Sequence, residues 1–467
     1  MKTQFSSILV AMGLLLVTIS CNNESAPEMS VDNSLSKEAS IEKLPSDIEN
    51  LSLSDAETVA NLFNNKSTTR SQQEKTIKNV IAINGKDGNP AIYAVNFNED
   101  GYILVSATTK YYPILATVDH GEYSDDMPET GQQIVIAGML DNIELIKSGK
   151  TDFDCRPLWN KYINGNKPAI DTRASDDYQQ AFNEWYNSQA YGDYRIMKLT
   201  RCGGILPSNV YSQFVSAAQS EDLWEGTEYS WNNTAYVVER TTETSNTYGP
   251  FLNTTWGQNS QYNTSGHAKL GCVTVAVGQL MKFFKRPTNI SWDYMPNKLE
   301  QYETSPVLTD FLAKLRGELG VSEAGGATIG DAKRVLTSYG YNVTQNDHME
   351  SKVFSYISTK RRPLYARGQN DNGDGHAWVI AGAYQHTTNI SYTLYRLTDT
   401  KYPQFQYDKA EAADPYNNYS HVYSYYMNWG WNGTGNGWYS DYYIVPSGVS
   451  GDCNFKNHRK ELYINNF

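Results

Sequence analysis

Cysteine is scarce in this sequence, with five residues in 467, at positions 21, 155, 202, 272 and 453. Their spacings are wide and irregular, which excludes a dense disulfide framework. No pair has the spacing of metal ligands, so a structural zinc site is excluded too. Charge is sparse, at 19 %, and basic charge is the sparser part: 39 Lys and Arg stand against 51 Asp and Glu, a formal net charge of −12. That balance argues against nucleic acid as a partner. After the first twenty residues no run is long and apolar enough to span a membrane. A hydrophobic content of 40 % over this length leaves a globular protein of two or three domains.

Tyrosine is abundant, at 35 residues, as in many β-rich exported proteins; a glycan-binding surface is the other reading of that excess. The acidity is uneven. Residues 1–250 carry 19 basic and 33 acidic groups, whereas residues 251–467 carry 20 and 18. The two halves therefore read as different modules. The start of the chain reads as an address. Lys2 and the apolar run ILVAMGLLLVTIS form a signal peptide over 1–20. Ser20 precedes Cys21 in the manner of a lipoprotein box, although Thr18 stands where leucine is usual. The expectation is export, with Cys21 lipidated: an outer-membrane or cell-surface lipoprotein, or a secreted or periplasmic protein after maturation.

Residues 21–50 are rich in Ser, Asn and Glu and read as a tether. Residues 51–247 read as a small α+β domain followed by a linker region. SDAETVANLFNNK predicts a helix capped by Ser54, and KTIKNVIAING, AIYAVNF, YILVSA and YYPILATVDHG predict strands in series. GQQIVIAGMLDNIELIKSG returns to helical spacing. DDYQQAFNEWYNSQ predicts a helix, YSWNNTAYVVERTTETSN a strand pair, and the polar stretches 164–178 and 239–249 are candidate linkers or cleavage sites. From 248 onward helices come first, over 272–286, VLTDFLAKLRGEL and GDAKRVLTSYG. Strands follow at RRPLYARGQ, HAWVIAGAYQ, SYTLYRLTD, YSYYMNWGW and GWYSDYYIV. That order predicts an α+β layout with a helical layer on a sheet layer.

Cys272 opens the first of those helices. The free amides and positive dipole of a helix N-terminus stabilise a thiolate, and Gly271 permits a tight entry turn. An apolar helix also buries cysteine simply to pack it, so the thiol needs partners before it counts as a nucleophile. His376, delivered by the glycine-rich run NDNGDGHAWV to the start of an apolar strand, is the best placed imidazole; His267 is nearer in sequence but sits in a loop. Asn428, at the end of YYMN, is placed to accept a hydrogen bond from the second ring nitrogen, with Trp429 and Trp431 to shield the contact. The Cys272 amide and the side chain of Gln258 are candidate donors to an oxyanion, with Asn259 and Gln261 as competitors.

Taken together, Trp256, Gln258, Tyr262, Asn263, Gly271, Cys272, Val273, Ala276, Gln279 and Met281, then Gly375-His376-Ala377 and Asn428-Trp429-Gly430-Trp431, resemble the streptopain-like cysteine peptidases, the C10 family of papain-like fold. The resemblance covers about 248–467 and extends to residues 90–124, which look like that family's propeptide. It implies a zymogen: a papain-like domain of a helical layer and an antiparallel sheet or barrel layer, preceded by an inhibitory α+β propeptide. It implies cysteine endopeptidase activity on protein or peptide substrates, with Cys272, His376, Asn428 and Gln258 catalytic and Gly271, Gly375, Trp429 and Trp431 in support. No metal and no organic cofactor is expected. Partners would be substrates and the chain's own propeptide, without nucleic acid, and with membrane contact only through the lipid. Residues 323–330 would line the cleft. Thr274, Val275 and Gly278 depart from the family pattern behind the nucleophile. The competing reading is a non-catalytic surface lipoprotein, a degenerate peptidase fold or a glycan-binding module.

Overall fold

A computed structural model of the chain describes residues 43–45, 47–67, 75–126, 131–149, 155–159, 161–163, 177–187, 194–369, 375–401, 405–441 and 459–466. The signal segment, Cys21, most of the tether, the glycine-rich run before Gly375 and Cys453 lie outside them. Among the described residues no helix is long and apolar enough to cross a membrane.

The front block holds α1 (Leu53–Ser67), β1 (Ile77–Asn84), β2 (Pro90–Phe97), β3 (Tyr102–Ser106), β4 (Ile114–Val118), α2 (Gly131–Lys147) and the short α3 (Arg156–Trp159). The cap of α1 is Ser52 and not the expected Ser54. The Ser52 hydroxyl accepts from the Asp55 amide at 3.3 Å, and the Asp55 carboxylate accepts from the Ser52 amide at 2.7 Å, a reciprocal capping box. β1 to β4 form a meander of antiparallel neighbours.

A second block comes next: α4 (Asp177–Asn187), β5 (Tyr194–Lys198), α5 (Ser208–Ser220), α6 (Trp231–Thr234) and β6 (Tyr236–Tyr248). In place of the expected strand pair there is a turn of helix and then one strand of 13 residues. The third block begins with α7 (Cys272–Phe284), α8 (Pro306–Leu319), α9 (Ile329–Ser338), β7 (Asn342–Asp347) and α10 (Glu350–Lys360). It ends with β8 (Leu364–Gln369), β9 (Gly375–Asp399), β10 (Gln406–Lys409), β11 (Tyr416–Asn428), β12 (Gly437–Ser440) and β13 (Lys460–Asn466). Local signals explain the helix ends. Thr328 and Asp331 make a capping box for α9, Pro306 occupies the first turn of α8, and Gly320 closes α8 in the left-handed region.

The expected α+β organisation is the one observed. The strands join in the order β1-β2-β3-β4-β12-β11-β9-β8-β13-β7, with β6 and β10 also on β9 and β5 on β6. HAWVIAGAYQ and SYTLYRLTD, expected as two strands, are one strand of 25 residues, β9. The reason is local: HTTNI between them carries no turn residue pair, and both neighbours hold it straight. Asn389, at its middle, pairs with Thr242 on one side and Tyr419 on the other.

The first half of β9 is covered on both faces, as its unbroken apolar run requires. Trp378 and Ile380 enter a core shared with Val135, Ile136 and Met139 of α2. Ala377, Val379 and Ala381 enter the opposite core, with α7, α8 and α9. The period of two along the strand makes this division. The far half of β9 serves two smaller cores. Leu394 packs with Phe214 and Val237, and Tyr395 with Phe182 and Tyr236. Cys155 and Cys202 are buried in separate cores, which keeps them apart.

Candidate active site

Cys272 is the first residue of α7 and is half-buried. Gly271 enters the helix at φ 90°, and a β-carbon there would lie 2.7 Å from the Gly325 carbonyl oxygen and 2.8 Å from Val321. Only glycine fits. The contact sets Val321 and Gly325 against the turn before Cys272, and the segment expected to line a cleft, 323–330, begins within this loop. The departures from the family pattern have packing reasons. Thr274 is buried and its hydroxyl donates to the Leu270 carbonyl at 2.8 Å. Val275 packs on Gly430, and a β-carbon at Gly278 would lie 3.0 Å from Leu312 and 3.4 Å from Trp256. Glycine inside a helix costs about 1 kcal/mol relative to alanine. Here it lets α8 and Trp256 approach the backbone of α7.

Burial pushes the Cys272 thiol above its ordinary pKa, against the downward pull of the amides of Ala377, Val273 and Cys272 itself and the positive charge of Arg367. The helix-end stabilisation is therefore present but outweighed in this form. The Ala377 amide faces the sulfur, so the start of β9 lies beside Cys272, and His376 is the adjacent residue.

His376 is held from one side. Its Nε2 is 2.9 Å from the Trp429 carbonyl oxygen, and a carbonyl only accepts, so Nε2 carries the proton and Nδ1 is the open nitrogen. Burial lowers the imidazole pKa to about 4, partly offset by that carbonyl. Trp431 lies over the ring with centroids 4.5 Å apart. Among the described residues no hydrogen bond joins Cys272 to His376.

The expected Asn428–His376 contact is also not made. Asn428 is buried with its Oδ1 accepting from Gln279 Nε2 and the Gly430 amide, each at 3.2 Å, and its Nδ2 donating to the Thr254 carbonyl at 2.6 Å. The bond expected of its side chain is made by the next residue's backbone. A side-chain motif cannot show this, because every residue has a carbonyl. Trp429 is held in turn by its amide on Asn436 Oδ1 at 3.0 Å and its indole on the Gly435 carbonyl at 2.9 Å.

Gln258 is half-buried on the segment that runs past Gly430 and Asn432. The rivals are placed otherwise. Gln261 is committed to the carbonyls of Glu300 and Glu303, and Asn259 is exposed. His267 pairs with Glu323 at 2.6 Å on the surface. Gly375 is exposed at the start of β9, and a β-carbon there would lie 3.0 Å from Arg367.

The front block reaches into this site. A β-carbon on Gly131, the first residue of α2, would lie 2.5 Å from His376 Cδ2 and 2.7 Å from the Trp429 ring. Gln132 is buried beside it, with its amide on the hydroxyls of Tyr102 and Tyr439. β4 continues the site's own sheet by pairing Ala116, Thr117 and Val118 with Tyr439, Trp438 and Gly437 of β12. So the block that packs on the imidazole also pairs into the sheet that presents it.

Residues 48–137 match the Spi protease inhibitor family. The Spi-like stretch spans α1, β1 to β4 and the first half of α2, Gly131 included, and it contains the residues 90–124 in which a propeptide was expected. No curated protein matches the chain. Among solved structures, a fragment of prointerpain A from Prevotella intermedia, a cysteine-to-alanine mutant, aligns at 15 % identity with a TM-score of 0.40, over 83 % of this chain and 98 % of that one.

Proposed function

We propose that the chain is the zymogen of a cysteine endopeptidase of papain-like fold, exported and anchored through a lipidated Cys21, with the Spi-like domain as its inhibitor. The observation that carries this reading is the placement of Gly131. A domain that matches protease inhibitors sets its helix end on His376, the imidazole one residue from the amide that faces Cys272.

In the mature enzyme His376 Nδ1 takes the Cys272 proton, and the thiolate attacks the substrate's carbonyl carbon. The Cys272 amide and Gln258 hold the resulting oxyanion. The imidazolium then gives its proton to the leaving amine, and water hydrolyses the acyl-enzyme. The Trp429 carbonyl orients the ring throughout. In the zymogen the same groups are disarmed by environment. A thiol pushed up and an imidazole at about 4 are both neutral at pH 7, which leaves no ion pair to attack with.

Maturation cuts before Asp177. Of the two stretches expected as linkers, 239–249 is almost wholly strand, since every residue of β6 pairs with β9. Phe182 of α4 is buried against Tyr236, Tyr395 and Tyr407. The second block therefore stays with the peptidase.

The test compares the wild-type chain with Cys272→Ala. Wild type should mature and cleave casein, and the variant should do neither. Equal behaviour of the two proteins overturns the reading, and inactivity of both leaves a non-catalytic surface protein.

A further inference from the structure

Gln279 lies seven residues after Cys272 on α7, so it stands on the same helix face two turns below the thiol, about 10 Å along the axis. It is fully buried in the middle of a largely apolar helix. Burying an amide there is costly unless both of its ends are bonded. Both are. Its Oε1 accepts from the Trp256 amide at 3.1 Å, and its Nε2 donates to Asn428 Oδ1 at 3.2 Å.

The directions of these bonds are decided by the backbone. The Trp256 and Gly430 amides can only donate, and the Thr254 carbonyl can only accept. Hence the Gln279 oxygen faces Trp256, its nitrogen faces Asn428, and Asn428 has its oxygen toward Gln279 and Gly430 and its nitrogen toward Thr254. Reversing either amide would oppose like groups in a buried site. The chain of bonds runs from the segment carrying Gln258, through the nucleophile helix, to the turn carrying the Trp429 carbonyl.

We infer that Gln279 is a positioning residue of the active site. It sets the three groups that must converge on one substrate carbonyl: the Cys272 helix, the Gln258 segment and, through Asn428 and Gly430, the carbonyl that orients His376. It touches neither substrate nor the reacting atoms. Its contribution is that Gln258 and His376 stand in register with Cys272, and misplacement of such groups by about 1 Å can cost on the order of a hundredfold in rate.

The inference rests on the peptidase reading, and the experiment separates the two. Matured parent, Gln279→Met and Gln279→Glu are assayed on one peptide across pH, each normalised to the thiol titrated by an epoxide at Cys272. A parent without activity condemns the peptidase reading itself. Gln279→Met conserves volume and removes both bonds. It should lose about tenfold or more in kcat at every pH, with KM nearly unchanged. Gln279→Glu is isosteric and carries the distinguishing signature. When protonated it can still donate to Asn428 Oδ1; when ionised it sets oxygen against oxygen. Its kcat relative to parent should therefore recover as pH falls. Cys272 and His376 titrate in parent and variant alike, so the ratio isolates position 279. Parent-like kcat in Gln279→Met overturns the inference. So does an equal loss at every pH in both variants, which would mean the amide only fills space. Failure of both variants to yield folded, titratable protein also overturns it, by making Gln279 a packing element.

Discussion

Two blocks of chain precede Cys272, and they are joined to the back half in different ways. The Spi-like block meets it through the three residue pairs between β4 and β12, through the backbone bonds from Asp119 to Asn436 and from Gly435 to His120 beside them, and through a core that β2 to β4 and α2 share with it. The block over 177–248 meets it through thirteen consecutive pairs between β6 and β9 and shares two cores with β9 and β10. The core of the first also runs on into the back half, taking in Trp378, Ile380, Tyr425, Met427 and Trp429. The second has no core of its own without residues from beyond position 390. Both read as front-half sequence, and what separates them is the ladder, three pairs for the first against thirteen for the second, which is the basis for proposing release of the first alone.

The strongest way to break this comparison is to truncate the chain. A chain beginning at Asp177 should fold, whereas one beginning at Gly249 should not. The shorter chain strips Phe182, Tyr236, Val237 and Val238 from the lobe cores. At about 1.5–3 kcal/mol for each large buried side chain, the loss approaches the roughly 5–15 kcal/mol by which a whole domain is stable. Circular dichroism and thermal unfolding of the two chains decide it. A cooperative transition in the shorter one would show that the lobe is an appendage.

A smaller effect tests the removable block. Gly131→Ala drives a methyl group to within 2.5 Å of His376. Overpacking of this kind costs about 1–3 kcal/mol, so the plug should open about tenfold more often, read as faster alkylation of Cys272 in the unprocessed protein at one pH. An unchanged rate would mean that α2 does not gate the site.

The smallest expected effect is that of pH. His376 has a folded pKa of about 4 against an ordinary 6.5. A histidine depressed by burial contributes stability that is full above 6.5 and is lost as pH falls toward 4. Asp119, raised by burial and bonded to the Tyr426 hydroxyl at 2.7 Å, acts in the opposite sense and blunts the change. Hydrogen exchange should show α2 losing protection relative to α8 between pH 7 and pH 5, by a few-fold. Equal changes in the two helices would remove His376 as the cause. His386, opposite Ser245 on the β6–β9 ladder, is also depressed by burial, so α8 and not the second block is the reference for this measurement.

Much of the local architecture is legible in the sequence. The helix over 272–284 begins at its Gly-Cys pair and stops before Pro287, and α8 and α9 announce themselves by Ser305-Pro306 and the Thr328–Asp331 box. These signals act within a turn or two, and so a short window of sequence contains them whole. The choice of Cys272 and His376 is legible for the same reason: each has an unusual local setting. The choice between Ser52 and Ser54 as a cap is not, since both satisfy the same rule and only the hydrogen bond tells them apart.

By itself, then, the sequence determined the local elements, the α+β class and the cast of candidate residues. The tertiary structure alone decided which of them meet. It gave the imidazole to the Trp429 carbonyl, set Gly131 on that ring from 245 residues away in sequence, and married β6 to β9. It also turned Gln279 from a motif letter into a link between three elements. The physical reason is the same in each case. Backbone donors and acceptors are identical at every residue, so long-range pairing is specified by which surfaces bury each other, and that is a property of the folded chain as a whole.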